Sequence, residues 1–173
     1  NTVVPSSGVL AGFNTDVTGI ASAIRRACSQ ADRALPTNAV VLGARATASS
    51  ALAALGELGI VASTVAARRF GGPGSVVAAS SRLGVSIDQV LGSDHDAVLR
   101  TLSGADLVIS TLPAGVADPL AEQMSVREGQ VLLDVVYSPR ETALRSVFER
   151  NGGIVAEGTD MLIFQAAAQV QLM

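Results

Sequence analysis

The sequence NAVVLGARATA, residues 38–48, decides the fold of this chain. Its apolar first part predicts a short buried strand over residues 39–42, and Gly43 ends that strand. The residues from Thr47 to Leu58 form a helical pattern that ends at Gly59. A strand, a glycine turn and a helix in this order begin a βαβ unit, in which the helix N-terminus faces the carboxyl end of the strand.

Strand and helix patterns alternate along the rest of the chain. The runs that predict further strands are residues 60–66, 86–91, 105–112, 130–137 and 154–157. The runs that predict helices are residues 17–33, 75–83, 94–102, 118–124, 140–151 and 159–172. Two short extended runs, residues 2–4 and 9–13, precede them, and turn residues 71–74 form a loop. This alternation predicts an α/β domain with a mostly parallel sheet and helices on both faces.

The composition excludes several classes of protein. The chain has 173 residues, of which 49 % are apolar and 16 % charged, so it is not a disordered tail. Mean hydropathy is +0.44, but no apolar run reaches the ~18 residues that a membrane span needs. The net charge of −3, without a basic stripe, argues against a nucleic-acid partner. No signal peptide is expected, and we predict a cytoplasmic location.

Two single residues have ordinary interpretations. Cys28 is the only cysteine, which excludes a disulfide framework or a multi-cysteine metal site, and we expect it to be a packing residue. His95 lies between two aspartates near a helix start, and we expect a surface residue rather than a base. All twelve basic residues are arginine, so chemistry that needs a lysine must come from outside this chain.

Ligands of an open parallel sheet bind beyond the carboxyl ends of the strands. Residues 43–48 lie at such an end and match part of the dinucleotide fingerprint G-x-G-x-x-G/A. Gly43 can make the tight turn and Ala48 allows close helix packing, but Arg45 stands where the second glycine normally lets backbone approach phosphate. This segment alone leaves open a dinucleotide site and an ordinary strand-to-helix turn.

The loop after the next strand favours one of the two nicotinamide cofactors. NAD-binding domains place an acid some 20 residues past the glycines, whereas an arginine there accommodates the 2′-phosphate of NADP. Residues 60–85 contain no acid, and Arg68 and Arg69 occupy the loop. If a dinucleotide binds, NADP is therefore favoured over NAD. The alternative is that both arginines are solvated loop charges.

Three motifs together resemble the shikimate dehydrogenase family. They are N-T at residues 1–2 with G-x-N-T-D-x-x-G at residues 12–19, D-x-x-Y-x-P-x-x-T-x-L at residues 134–144, and G-x-x-M-L-x-x-Q-A at residues 158–166. The resemblance spans essentially the whole chain. It implies a Rossmann-like, doubly wound domain that binds NADP, with residues 1–15 as the end of a substrate-binding domain and residues 16–173 as the NADP-binding domain.

The resemblance also implies a reaction and a set of site residues. The reaction is hydride transfer between NADPH and 3-dehydroshikimate to give shikimate, a step of aromatic amino acid and chorismate biosynthesis. Asp16 is implied as the catalytic carboxylate, working with a lysine that this chain lacks, so the chain alone is expected to be inactive. The implied substrate-binding residues are Asn1, Asp16, Tyr137 and Gln165. The implied cofactor-binding residues are Gly43, Ala44, Arg45, Ala46, Thr47, Ala67, Arg68, Arg69, Val135, Gly158 and Met161.

The chain departs from the family pattern at the cofactor loops. The glycine-rich G-A-G-G-A of the family is Gly43-Ala44-Arg45-Ala46-Thr47 here, and the family's N-R-T loop is Ala67-Arg68-Arg69. Arg45 either adds a charge to the phosphate site or blocks the approach of the backbone. The alternatives are therefore a related enzyme acting on quinate or another polyol, and a non-catalytic dinucleotide-binding relative. We expect no metal, and the resemblance leaves a homodimer open.

Overall fold

A computed structural model of the chain describes residues 1–6, 8–72 and 74–173. The strands are β1 (Thr2–Ser6), β2 (Val9–Phe13), β3 (Asn38–Leu42), β4 (Ala62–Ala67), β5 (Asp88–Leu91), β6 (Leu107–Ser110), β7 (Val131–Asp134) and β8 (Ile154–Ala156). The helices are α1 (Thr15–Gln30), α2 (Ala46–Glu57), α3 (Val76–Leu83), α4 (His95–Gly104), α5 (Asp118–Ala121), α6 (Ala143–Arg150) and α7 (Gly158–Leu172). Within these residues, no helix combines the length and the apolar character needed to cross a membrane.

Six strands form one parallel sheet in the order β5-β4-β3-β6-β7-β8. The chain moves from β3 to one edge through β4 and β5, and then from β6 to the opposite edge through β7 and β8. The strand order therefore reverses between β3 and β6, which is the arrangement of a doubly wound dinucleotide-binding fold. This confirms the predicted Rossmann-like α/β fold.

Alternation along the strands creates two apolar cores. On β3, Ala39 and Val41 pack with α1, α2, α3 and α7, whereas Val40 and Leu42 pack with α4, α5 and α6. Because successive side chains of a strand point to opposite faces, a continuous apolar run such as residues 39–42 fills both cores at once. The predicted helices on both faces are thus confirmed.

Several predicted element ends differ from the structure, and local geometry explains three of them. Helix α1 ends at Gln30 instead of residue 33, because Asp32 has a φ of 52°, which cannot continue a right-handed helix. Strand β7 ends at Asp134 instead of Tyr137, since the Val136 amide turns back to donate to the Asp134 carboxylate. Helix α6 begins at Ala143 instead of residue 140, since Thr142 caps it by accepting from the Arg145 amide. Strand β6 covers only residues 107–110 of the predicted 105–112.

The first residues form a hairpin that the extended runs alone did not predict. Strands β1 and β2 pair antiparallel, from Thr2 opposite Phe13 to Ser6 opposite Val9, and they form a sheet separate from the main one. The predicted turns around residues 5–8 and 71–74 include Ser7 and Pro73, which lie outside the described residues.

Candidate cofactor and substrate site

Gly43 occupies a backbone position that strongly favours glycine. Its φ is +109°, and its amide donates to the Ala66 carbonyl of the neighbouring strand at 2.9 Å. A Cβ at this position would overlap with Thr111 Oγ1, whose hydroxyl donates to the Leu42 carbonyl at 2.8 Å. The turn after β3 therefore passes directly beside the end of β6, at the reversal in strand order.

The N-terminus of α2 faces the same edge of the sheet. Ala44 and Ala48 are buried, whereas Arg45 and Ala46 are exposed and Thr47 is half-buried. Arg45 is the N-cap residue, with extended backbone (φ −101°) and no side-chain cap bond. Among the hydrogen bonds of the described residues, none uses the amides of residues 46–48. These amides and the helix dipole make this end of α2 suited to an anion.

Three exposed arginines lie on the two loops at this edge of the sheet. The end of β4 is buried at Ala67, whose carbonyl accepts from the Gly92 amide at 2.9 Å, and the chain then emerges at the exposed Arg68 and Arg69. Since Ala66 bonds to Gly43, the two loops begin side by side. Arg45, Arg68 and Arg69 form no ion pair with any described residue. This part of the edge therefore presents uncompensated positive charge.

The other half of the edge is formed by the ends of β7 and β8. Gly158, the first residue of α7, is so close to the β7 turn that a Cβ would lie 2.7 Å from the Asp134 carbonyl and 3.1 Å from that of Val136. Val135 is half-buried, and its amide donates to the Ser110 carbonyl at 3.0 Å. Thus the predicted nicotinamide residues Val135 and Gly158 are in contact.

Met161 lies one turn further along α7 and is 9 % exposed. A Cβ on Gly19 of α1 would lie 2.6 Å from the Met161 carbonyl and 3.3 Å from its Cγ. Its side chain is therefore part of the close packing between α1 and α7. Its role in cofactor binding stays a prediction.

The residues of the first and third motifs meet in one cluster. The Asn1 amide donates to Asp16 Oδ1 at 2.6 Å, and Asn1 Oδ1 accepts from the Thr15 amide at 3.0 Å. The Thr15 hydroxyl lies 3.2 Å from both Asn1 Oδ1 and Gln165 Oε1. Asn14 caps α1 through the Asp16 amide and donates to Ser50 of α2 at 2.9 Å. Three predicted substrate residues, Asn1, Asp16 and Gln165, are thereby brought together.

Tyr137 is not hydrogen-bonded to this cluster in the described part of the chain. It is 57 % exposed in the loop after β7, beside a shallow cleft that also involves Asp134, Arg140 and Gly158.

The expectations for His95 and Cys28 are confirmed. His95 is exposed as the first residue of α4, and Cys28 is buried, which raises the pKa of its thiol. No group of three potential metal ligands occurs among residues 1–6, 8–72 and 74–173.

Two carboxylates near Tyr137 were not among the predicted site residues. Asp134 is 8 % exposed and accepts from the Thr142 hydroxyl at 2.9 Å, and burial raises the pKa of this carboxyl. Glu157 forms a bidentate contact with Arg145, with oxygen–nitrogen distances of 2.6 and 2.8 Å. The only available signal was the D-x-x-Y-x-P-x-x-T spacing, which places Asp134 and Thr142 at the two ends of one loop.

Several shikimate dehydrogenases are among the known proteins that are similar to this chain. The shikimate dehydrogenase (NADP(+)) of Geobacter sp. strain M21 is 34 % identical over 99 % of this chain and 60 % of its own length. The crystal structure of Mycobacterium tuberculosis shikimate dehydrogenase matches with a TM-score of 0.83 and 32 % identity, over 99 % of this chain and 62 % of that one. No protein-family model matches.

A third match carries ligands. The crystal structure of the Thermus thermophilus enzyme in complex with NADP(H) and shikimate has a TM-score of 0.71 and 28 % identity, over 99 % of this chain and 60 % of that one. The chain spans about three fifths of the length of the relatives that it matches.

Proposed function

We propose that this chain, which is similar to shikimate dehydrogenases over nearly its whole length, is the NADP-binding part of such an enzyme. The reaction is the reversible reduction of 3-dehydroshikimate by NADPH to give shikimate and NADP. The observation that carries this proposal is the cluster of Asn1, Thr15, Asp16 and Gln165, in which residues from the two ends of the chain meet.

The edge of the sheet fits NADP. The pyrophosphate would lie at the N-terminus of α2, bound by the amides of residues 44–47, because Gly43 turns the chain there and the hydrogen bonds of the described residues use none of these amides. Arg68 and Arg69, at the end of β4, would bind the 2′-phosphate. Val135, Gly158 and Met161 would border the nicotinamide, from which NADPH supplies the hydride.

The hydroxyl and carboxylate groups of the substrate would be bound by Asn1, Tyr137 and Gln165. Asp16 would act on the reacting oxygen, together with a lysine that this chain lacks. An aspartate beside an ammonium group can hold and relay the proton that must reach the ketone oxygen as the hydride arrives. The hydrogen bond from Asn1 already orients Asp16, since it fixes Oδ1 at 2.6 Å from the Asn1 amide.

The proposal extends to the setting of the enzyme. Residues 1–15 would be the end of a substrate-binding domain and residues 16–173 the NADP-binding domain. The protein would act in the cytoplasm on a small molecule in aromatic amino acid and chorismate biosynthesis, without a nucleic-acid or membrane partner, and a homodimer is compatible with this role. Arg45 supports one competing function, a non-catalytic relative with impaired cofactor binding, because it replaces a glycine of the family pattern.

Calorimetric titration of the chain with NADP and with NAD tests the proposal. We expect NADP to bind more tightly, and Arg68→Ala to weaken NADP selectively by about 1.5–3 kcal/mol, the range of a charge-assisted hydrogen bond. Arg100→Ala is the matched control, since it removes an exposed arginine of α4. Equal losses for both cofactors would make Arg68 structural. Failure of the wild type to bind either one would favour the relative with impaired cofactor binding.

A further inference from the structure

The loop that carries Tyr137 is held at both ends by side chains. At its start, Asp134 Oδ1 accepts from the Val136 amide at 3.3 Å, and at its end Thr142 donates to Asp134 Oδ2 at 2.9 Å. Thr142 also caps α6. Within the loop, Arg140 reaches Glu157 Oε1 at 3.3 Å, although the arginine side chain is 66 % exposed.

Glu157 connects this loop to the β8–α7 junction. It directly precedes Gly158 and occupies the N-cap position of α7, yet its side chain makes no cap hydrogen bond. The carboxylate turns instead to Arg145 of α6, at 2.6 and 2.8 Å. The Arg145 side chain is only 14 % exposed and has a second partner in Glu149 at 2.8 Å. The bond from Arg145 is the main cause that lowers the pKa of Glu157, so the contact is between charged groups.

Backbone contacts also join the Tyr137 loop to the β8–α7 junction. Gly158 has no room for a Cβ, because the Asp134 and Val136 carbonyls lie against it. The junction therefore contacts the start of the Tyr137 loop through backbone, and the middle of that loop through Glu157 and Arg140.

We propose that Glu157 is a positioning residue that holds the Tyr137 loop and the Gly158 junction as one unit. This inference rests on the proposed function, in which Tyr137 binds substrate and Gly158 borders the nicotinamide. Holding the two segments together would keep the ketone carbon of the substrate in line with the hydride donor, and such alignment is easily lost when supporting contacts are loose.

Tyr137 allows a direct test, because it is the only tyrosine and the chain has no tryptophan. Time-resolved anisotropy of its intrinsic fluorescence measures its mobility. We expect Arg140→Gln and Glu157→Gln each to increase the amplitude of the fast motion by about twofold or more. Arg26→Gln is the matched control, since it removes an ion pair of similar length, 3.4 Å to Asp160 of α7, outside the loop.

Titration with NADP distinguishes an effect on the Gly158 junction from an effect on the Tyr137 loop. Glu157→Gln should weaken NADP by about fivefold or more, because the junction itself loses its support, whereas Arg140→Gln should stay within about threefold of the wild type. A Tyr137 mobility in Arg140→Gln equal to that in the wild type would overturn the proposal, even if Glu157→Gln fails to fold. If the wild type does not bind NADP, the proposed function fails, while the mobility of Tyr137 still decides whether Glu157 holds the loop.

Discussion

Gly43→Ala is the substitution whose cost the structure specifies best. The φ of +109° disfavours any residue with a Cβ, at about 1–2 kcal/mol. The new methyl group would also overlap with Thr111 Oγ1. Rotation of Thr111 away would break its hydrogen bond to the Leu42 carbonyl, at about 1 kcal/mol, and residual crowding would add about 1–2 kcal/mol.

The total loss of unfolding free energy is therefore about 3–5 kcal/mol, which lowers the melting temperature of a chain of this length by roughly 10 °C. Gly59→Ala is the matched control, because Gly59 also has a positive φ, +76°, but no atom lies within 4 Å of a Cβ there. Only the conformational cost of about 1–2 kcal/mol should remain for it.

Urea denaturation at pH 7 measures both losses. Adding Thr111→Ala to Gly43→Ala should recover about 2–3 kcal/mol relative to the sum of the single substitutions, since the crowding is then absent and both single substitutions lose the same Thr111 hydrogen bond. At a temperature where all variants are folded, Gly43→Ala should also weaken NADP more than Gly59→Ala does. The reasoning is refuted if Gly43→Ala costs no more stability than Gly59→Ala, or if the double variant is simply additive.

Arg45→Gly should tighten NADP binding by less than about tenfold, roughly 1.4 kcal/mol, because Arg45 has ordinary extended backbone and an exposed side chain that can move aside. Calorimetry tests this expectation. If the wild type shows no binding at millimolar NADP and the variant binds at micromolar NADP, Arg45 blocks NADP binding. We also expect the stability of the fold at acid pH to depend on Asp106. The Thr37 hydroxyl, 2.7 Å from Asp106 Oδ2, lowers the pKa of that carboxyl, so its stabilisation is present above the unfolded pKa of about 3.9 and is lost as the pH falls through the lower folded value. Urea midpoints should therefore fall less between pH 5 and about pH 2 in Asp106→Asn than in the wild type, and equal falls would contradict this role.

Local sequence patterns were enough for the order of elements and for the class of fold. Alternating strands and helices are encoded in runs of neighbouring residues, and Gly43, at the end of the 39–42 strand, marked the turn at the ligand edge. The ends of elements were less predictable. The apolar run of residues 130–137 continues through Val135 and Val136, but the Asp134 carboxylate captures the Val136 amide and the strand stops. The Asp134 side chain is held by Thr142, the N-cap of α6, and its backbone pairs with Ser110 of β6, so the end of the strand is not encoded in the apolar run.

The candidate site likewise depends partly on local sequence and partly on contacts between distant elements. Resemblance to a family selected Asn1, Asp16 and Gln165 from the sequence, but their meeting depends on Thr15 contacting a residue 150 positions away. Glu157 and Arg145 gave no pattern at all, since a glutamate before a helix and an arginine within one are ordinary surface residues in sequence. By itself, the sequence determined the repeating strand–helix units, because hydrophobic periodicity acts over one element. Only the tertiary structure decided which charges face each other and which backbone groups stay free, because those depend on contacts between elements far apart in the chain.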